Sequence, residues 1–206
     1  MKRGLTRLVP WAQQFIAEVL HPGDLAVDLT AGSGRDTFFL AEQVGPFGTV
    51  LSFDIQKEAL TQTATLLASH HLVAQLHSGP EFLSDFPAGV HLLLASHANF
   101  CDFLPAAPVA IIANLGYLPG SDGSVTTQCA TTLPAVEKAL LVLKPGGRIV
   151  IVAYVGHPGG RSEADGVAEL FTRLSPEDWK VLRLSVDNIP HAPSLFVAEK
   201  KRPEKI

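Results

Sequence analysis

Asp28, Gly32, Gly34 and Asp54 are the residues whose types and spacing first suggest chemistry. They lie in Val27-Asp28-Leu29-Thr30-Ala31-Gly32-Ser33-Gly34-Arg35-Asp36-Thr37 and in Phe53-Asp54-Ile55-Gln56, which read as strand, glycine turn, helix and a second strand ending in an acid. Gly32 and Gly34 are expected where the backbone passes tightly against a ligand, because a Cβ there would collide with it. Asp54 follows Gly34 by 20 residues, the spacing at which an acid closing the second strand binds the two ribose hydroxyls of an adenosine. Thr37 occupies the third glycine position of a dinucleotide fingerprint, which disfavours a pyrophosphate on the helix N-terminus. Asp28 is expected to place a fixed negative charge at the turn, repelling phosphates and attracting an ammonium or sulfonium. S-adenosylmethionine meets these requirements, with Thr30, Asp36, Thr37 and Gln56 completing the expected cofactor-binding set.

The pattern resembles the first motif of the class I methyltransferases, in order and spacing of both acids. That resemblance implies a Rossmann-like α/β fold, a mostly parallel seven-stranded sheet with helices on both faces. It also places Ser96 and His97, after the third strand, beside the adenine. Farther on, Asn114 followed three residues later by Tyr117 is similar to the Asn-Pro-Pro-Tyr motif of amino-group methyltransferases, with Leu115-Gly116 replacing the prolines. This similarity implies nitrogen as the methyl acceptor. The Asn114 carbonyl then accepts hydrogen bonds from the amine and aims its lone pair, while the Tyr117 ring stacks on a base or contacts the cationic centre. An alkyl amine titrates near 10, roughly the lysine value, so it arrives protonated and must lose a proton before attack. His157 and Asp122 are the candidate proton acceptors, with His97 behind them. Alternatively, a desolvated site that holds the amine against carbonyls favours its neutral form without a dedicated base.

These residues need a scaffold. Strands are expected near Leu25–Leu29, Thr49–Phe53, Val90–Ala95, Val109–Ala113 and Arg148–Val155, with a closing pair at Lys180–Val186 and Leu195–Glu199, one of them antiparallel. Helices are expected near Asp36–Val44, Lys57–Ser69, Thr131–Leu143 and Ser162–Leu174. Residues 8–20 read as a leading amphipathic helix with Trp11, Phe15, Val19 and Leu20 on one face. The stretch Leu72–Gly89 is either an insertion or, at Val73–Leu76, a further strand. With 206 residues, 47% of them hydrophobic, the chain reads as one domain spanning residues 1–206.

No apolar run approaches the roughly 20 residues a membrane helix needs, so no membrane association is expected. Cys101 and Cys129 lack metal-binding spacing and read as buried thiols in a cytoplasmic protein. His70, His71, His77 and His91 form no ligand set and read as surface or loop residues, so no metal is expected. A net charge of −4 sits uneasily with nucleic-acid binding. Seven of the 16 basic residues, however, cluster at the termini: Lys2, Arg3, Arg7, Lys200, Lys201, Arg202 and Lys205. They form one basic patch if the termini meet, and a homodimer pooling them is the expected arrangement.

Nearly the whole chain resembles the small bacterial methylases of the YtqB/MnmM-like family. The resemblance rests on Asp28–Thr37, Phe53–Gln56, Asn114–Gly120, Thr126-Thr127 and Tyr154-Val155-Gly156-His157-Pro158. It implies a tRNA methyltransferase that converts the 5-aminomethyl group of 2-thiouridine at the anticodon wobble position to 5-methylaminomethyl. Two departures stand out: in one motif Val155 replaces a family histidine and Gly159 a family acid, and in the other Ser121 replaces a family glycine. Other acceptors, in rRNA or a small amine, remain open. A non-catalytic S-adenosylmethionine-binding module and a nicotinamide-dependent oxidoreductase are the competing classes, the latter opposed by Asp28 and Thr37.

Overall fold

Apolar runs such as Leu92-Leu93-Leu94 and Ile149-Val150-Ile151-Val152 carry no polar alternation, so their strands must be covered on both faces. The computed structural model, which describes residues 7–78, 86–118, 120 and 123–203, has this architecture. Its elements in chain order are α1 (Val9–Ala17), β1 (Leu25–Asp28), α2 (Arg35–Val44), β2 (Thr49–Asp54), α3 (Lys57–Ser69), β3 (Ala74–His77) and β4 (Gly89–Leu94). They continue with β5 (Ala110–Leu115), α4 (Cys129–Val142), β6 (Arg148–Ala153), α5 (Gly160–Thr172), β7 (Trp179–Ser185) and β8 (Ser194–Lys200). The sheet runs β3-β4-β2-β1-β5-β6-β8-β7, parallel except for β8, which is antiparallel to both neighbours.

The sheet therefore has eight strands, not seven. The extra one is β3, which extends the edge beyond β4. Its short, partly exposed sequence Ala74-Gln75-Leu76-His77 lacks the apolar run of a central strand. One face of the sheet packs Phe53, Phe100, Ile111, Ile151 and Phe171 against α4 and α5. The other packs Val50, Leu60, Leu67 and Val150 under α1, α2 and α3.

The leading helix is shorter than expected, and its buried stripe is Leu8, Ala12, Ile16 and Leu20, with Trp11, Phe15 and Val19 only partly covered. This i, i+4 spacing is the natural contact line of a helix on a sheet. Arg148, at the start of β6, ties the end of α1 down. It donates to the Phe15 carbonyl at 2.8 Å, to Glu18 at 2.6 Å and to Glu199 at 2.8 Å. The helix thus runs from the carboxyl edge of the sheet to its amino edge.

That direction separates the basic termini. Arg7 precedes α1 at the carboxyl edge, whereas Lys200 and Arg202 lie at the amino edge beside Gly146 and Val19. Among the described residues there is no joint basic patch, because nine helical residues span about 13 Å at roughly 1.5 Å each. Two further expectations are corrected. Cys101 and Cys129 are free but only half-buried. His91 is fully buried in β4, where its Nδ1 meets His77 Nε2 at 3.1 Å and its Nε2 donates to the Pro87 carbonyl at 2.8 Å. Among the described residues no group of three or more side chains could hold a metal, and no helix is long and apolar enough to cross a membrane.

Candidate active site

The sheet order reverses at β1, whose neighbours are β2 and β5, and open α/β sheets bind ligands at the carboxyl ends of such strands. A cavity of about 940 Å³ opens there, at the upper end of the roughly 300–1,000 Å³ usual for small-molecule sites. The glycine turn, the end of β2, the end of β5 and the β6–α5 turn all border it.

On the β1/β2 side every acid is engaged. Asp54 accepts from the Gly32 amide at 3.0 Å and the Gln56 amide at 2.9 Å. Its carboxylate thereby ties the second strand to the glycine turn, and burial raises its pKa. Each oxygen keeps lone-pair capacity toward the cavity, where ribose hydroxyls would be received. Gly32 lines the cavity with φ +52°, which L side chains rarely adopt.

Gly34 has a different reason for being glycine. A Cβ there would lie 2.7 Å from Thr63 Cα, so the turn packs against α3 and not against a ligand. Asp28 likewise sits beneath the cavity, 0% exposed. It accepts from the Thr30 amide at 3.0 Å and from the Thr37 hydroxyl at 2.7 Å, and Thr37 in turn meets Ser52 Oγ at 2.7 Å. Burial, then the neighbouring Asp36, push Asp28 up to about 7. The expected fixed negative charge at the turn is therefore a buried, hydrogen-bonded post beneath it, with its pKa pushed up. Asp28, Gly34 and Thr37 shape the turn from behind; Thr30, Gly32, Asp36, Asp54, Gln56, Ser96 and His97 border the cavity itself.

On the β5/β6 side the polar groups are less complete. Asn114 donates its backbone N–H to Thr30 Oγ1 at 2.7 Å and its side-chain N–H to Asp36. Its Oδ1 is buried with no partner. His157 Nε2 is the only other buried side-chain polar atom left unpartnered among the described residues. His157 Nδ1 lies 3.1 Å from the Pro158 carbonyl, an acceptor only, so Nδ1 carries the proton and Nε2 presents a lone pair. Gly160 makes room for this ring, since a Cβ there would approach His157 Nε2 to 2.7 Å.

Tyr117, 52% exposed, stands edge-on to His157 with centroids 6.3 Å apart. Its loop is held by a bridge to Thr126 and by the Thr127 amide donating to the Gly116 carbonyl at 2.8 Å. Behind it, Glu163 accepts from Thr127 at 2.8 Å and from Thr132 at 2.5 Å. Burial lowers the pKa of His97, whose Nε2 lies 3.5 Å from Thr132 Oγ1. Asp122 lies outside the described residues. Val155, in the family histidine's position, is buried and joins the core below the cavity.

Sequence reasoning missed Gln13, Tyr154 and His191. Tyr154 and His191 border the cavity, and Gln13 Nε2 donates to Asp36 Oδ1 at 2.7 Å. Tyr154 opens a quoted motif, Tyr154–Pro158, and could have been given a role from it. Gln13 carries no local signal.

Comparison with known proteins gives the family and agrees with the fold. A crystal structure from Clostridium thermocellum described as a "putative rRNA-methylase" superposes with a TM-score of 0.82 at 33% identity, covering 93% of this chain and 96% of that one. A protein from Streptococcus mutans described as "a putative methyltransferase", in complex with SAH, gives 0.78 at 32% identity, covering 94% and 98%. The chloroplastic tRNA (mnm5s2U34)-methyltransferase of Arabidopsis thaliana is 36% identical over 191 residues, 89% of this chain and 66% of that protein, so the chain spans just under two thirds of that relative. The family described as "Putative rRNA methylase" matches residues 50–200, and the chain belongs to it.

Proposed function

We propose that this protein is an S-adenosylmethionine-dependent N-methyltransferase acting on the 5-aminomethyl group of wobble 2-thiouridine in tRNA. The observation that carries the reading is the buried, unpartnered Oδ1 of Asn114, a residue at the carboxyl end of β5 that lines a cavity also bordered by the glycine turn and Asp54. A buried acceptor left open is costly unless a ligand donates to it. An amine N–H is the donor it suits. The similarity to the Arabidopsis enzyme, whose name specifies this tRNA base, supports the substrate. The Streptococcus mutans complex with SAH supports the cofactor.

Asp54 would hold the ribose hydroxyls, Gly32 would admit the cofactor close to the backbone, and Ser96 and His97 would border the adenine. When bound, S-adenosylmethionine supplies a methyl group on a sulfonium, which the amine lone pair accepts as sulfur keeps the bonding pair. Asn114 Oδ1 receives an amine N–H and thereby orients the nitrogen. His157 Nε2, unpartnered on another residue bordering the cavity, would take the ammonium proton. Tyr117 and Tyr154, 52% and 41% exposed, offer ring faces on which an extruded base can stack. Arg35, exposed at the rim, offers positive charge to the RNA backbone.

The test is methyl transfer from labelled S-adenosylmethionine to unfractionated tRNA from a strain lacking this activity, read by nucleoside mass spectrometry. Labelled 5-methylaminomethyl-2-thiouridine is the expected product. Cofactor binding without any labelled nucleoside would overturn the reading.

A further inference from the structure

We infer that Gln13 and Asp36 are positioning residues that set the sense of the Asn114 amide, so that α1 is part of the acceptor site. This rests on the N-methyltransfer reading above. An asparagine side chain is a nearly symmetrical fork: half a turn about its last bond exchanges a hydrogen-bond acceptor for a donor in the same place. Turned one way, Asn114 accepts an N–H from an amine. Turned the other, it presents N–H groups of its own and repels the amine's protons.

The neighbours decide between the two. Ionised Asp36 is an acceptor only. One of its oxygens takes the Asn114 side-chain N–H, and the other takes the Gln13 side-chain N–H at 2.7 Å. With Nδ2 committed, Oδ1 is left as the open acceptor of the fork, buried and unpartnered on a residue that borders the cavity. Rotation of the residue as a whole is blocked as well, because its main-chain N–H is held on Thr30.

Gln13 also favours the acceptor state of Asp36, although burial is the larger influence and raises its pKa overall. Burial favours the protonated acid, and the donations from Gln13 and Asn114 oppose it. A protonated Asp36 would present an O–H, to which Asn114 could turn its carbonyl. Gln13 can do this because α1 is fixed at both ends. Its stripe Leu8, Ala12, Ile16 is buried on the sheet, and its last turn is tied to Arg148. The device therefore joins a helix that carries no recognisable motif to the reacting nitrogen.

The experiment compares wild type, Asp36→Asn and Gln13→Leu as full chains. Three quantities are measured: kcat on aminomethyl tRNA, Kd for S-adenosylhomocysteine, and solvent exchange of the Asn114 side-chain NH2 by NMR of protein labelled with 15N-asparagine. Asp36→Asn, in which the partner can itself donate, should lower kcat about 100-fold and Gln13→Leu about tenfold, each with Kd within about threefold. Both variants should lose the slowed NH2 exchange of the wild type. Unchanged exchange and kcat in Gln13→Leu, a change at a half-buried position outside the buried stripe of α1, would overturn the inference. So would a loss of cofactor affinity that matches the loss of kcat in both variants, since the pair would then be holding cofactor. If wild type transfers no methyl to tRNA, the substrate reading fails, and the NMR comparison still decides the amide orientation by itself.

Discussion

The two walls of the cavity differ in how completely their polar groups are satisfied. Around β1 and β2, Asp28 and Asp54 each accept two hydrogen bonds from the chain itself, and the turn they hold needs no ligand to complete it. Around β5 and β6, Asn114 Oδ1 and His157 Nε2 are buried without partners. The first wall is preorganised for holding; the second keeps open the groups that a reacting nitrogen would engage. Holding and reacting are therefore separable by mutation, although both walls border one cavity.

Breaking the second wall should have the largest effect. Asn114→Ala is expected to lower kcat on the order of 1,000-fold, comparable to deleting a strong transition-state hydrogen bond, while the calorimetric Kd for S-adenosylhomocysteine stays within a few-fold. If Asn114→Ala turns over normally, the amine is positioned elsewhere. Asp54→Ala should reverse the pattern. Its Kd should rise about 100-fold, the worth of two charge-assisted hydrogen bonds, with kcat at saturating cofactor far less affected.

Gly34→Ala probes the support behind the first wall. The new Cβ meets Thr63 Cα at 2.7 Å at a φ of +83°, so a loss of about 2 kcal/mol is expected in chemical denaturation. An unchanged midpoint would mean that α3 gives way freely.

The smallest effect is a pH dependence. Asp28 is held near 7 in the folded chain against 3.8 as the ordinary value, so the folded state binds the extra proton between those limits. Stability associated with this group is present at acid pH and is lost as pH rises from about 4 through about 7. Asp28→Asn should flatten that part of a melting-temperature profile. A profile parallel to wild type would remove Asp28 from the account.

The glycine turn, Asp54, Asn114, Tyr117 and His157 were legible because each is tied to a local pattern: a strand end, a turn or a fixed spacing. Their meeting at one crevice follows from strand order, which alternating strands and helices foretell. Misread features have in common that packing, not pattern, governs them. Gly34 looked like a ligand contact but clears Thr63 of α3. Asp28 looked like a charge facing the ligand but lies beneath the turn. His91 looked like a loop residue, yet β4 buries it once β3 adds to the edge.

The sequence by itself determined the fold class and the place of the glycine turn between β1 and α2, because those depend on backbone geometry and residue type over short spans. Only the tertiary structure decided that the basic ends of the described chain lie at opposite edges, since that depends on the direction in which α1 crosses the sheet. It alone also decided that Gln13 reaches Asp36 and Asp36 reaches Asn114, across separations of 23 and 78 residues. A hydrogen bond over such distances is set by where packed helices and strands bring two side chains, and no local property of either residue encodes it.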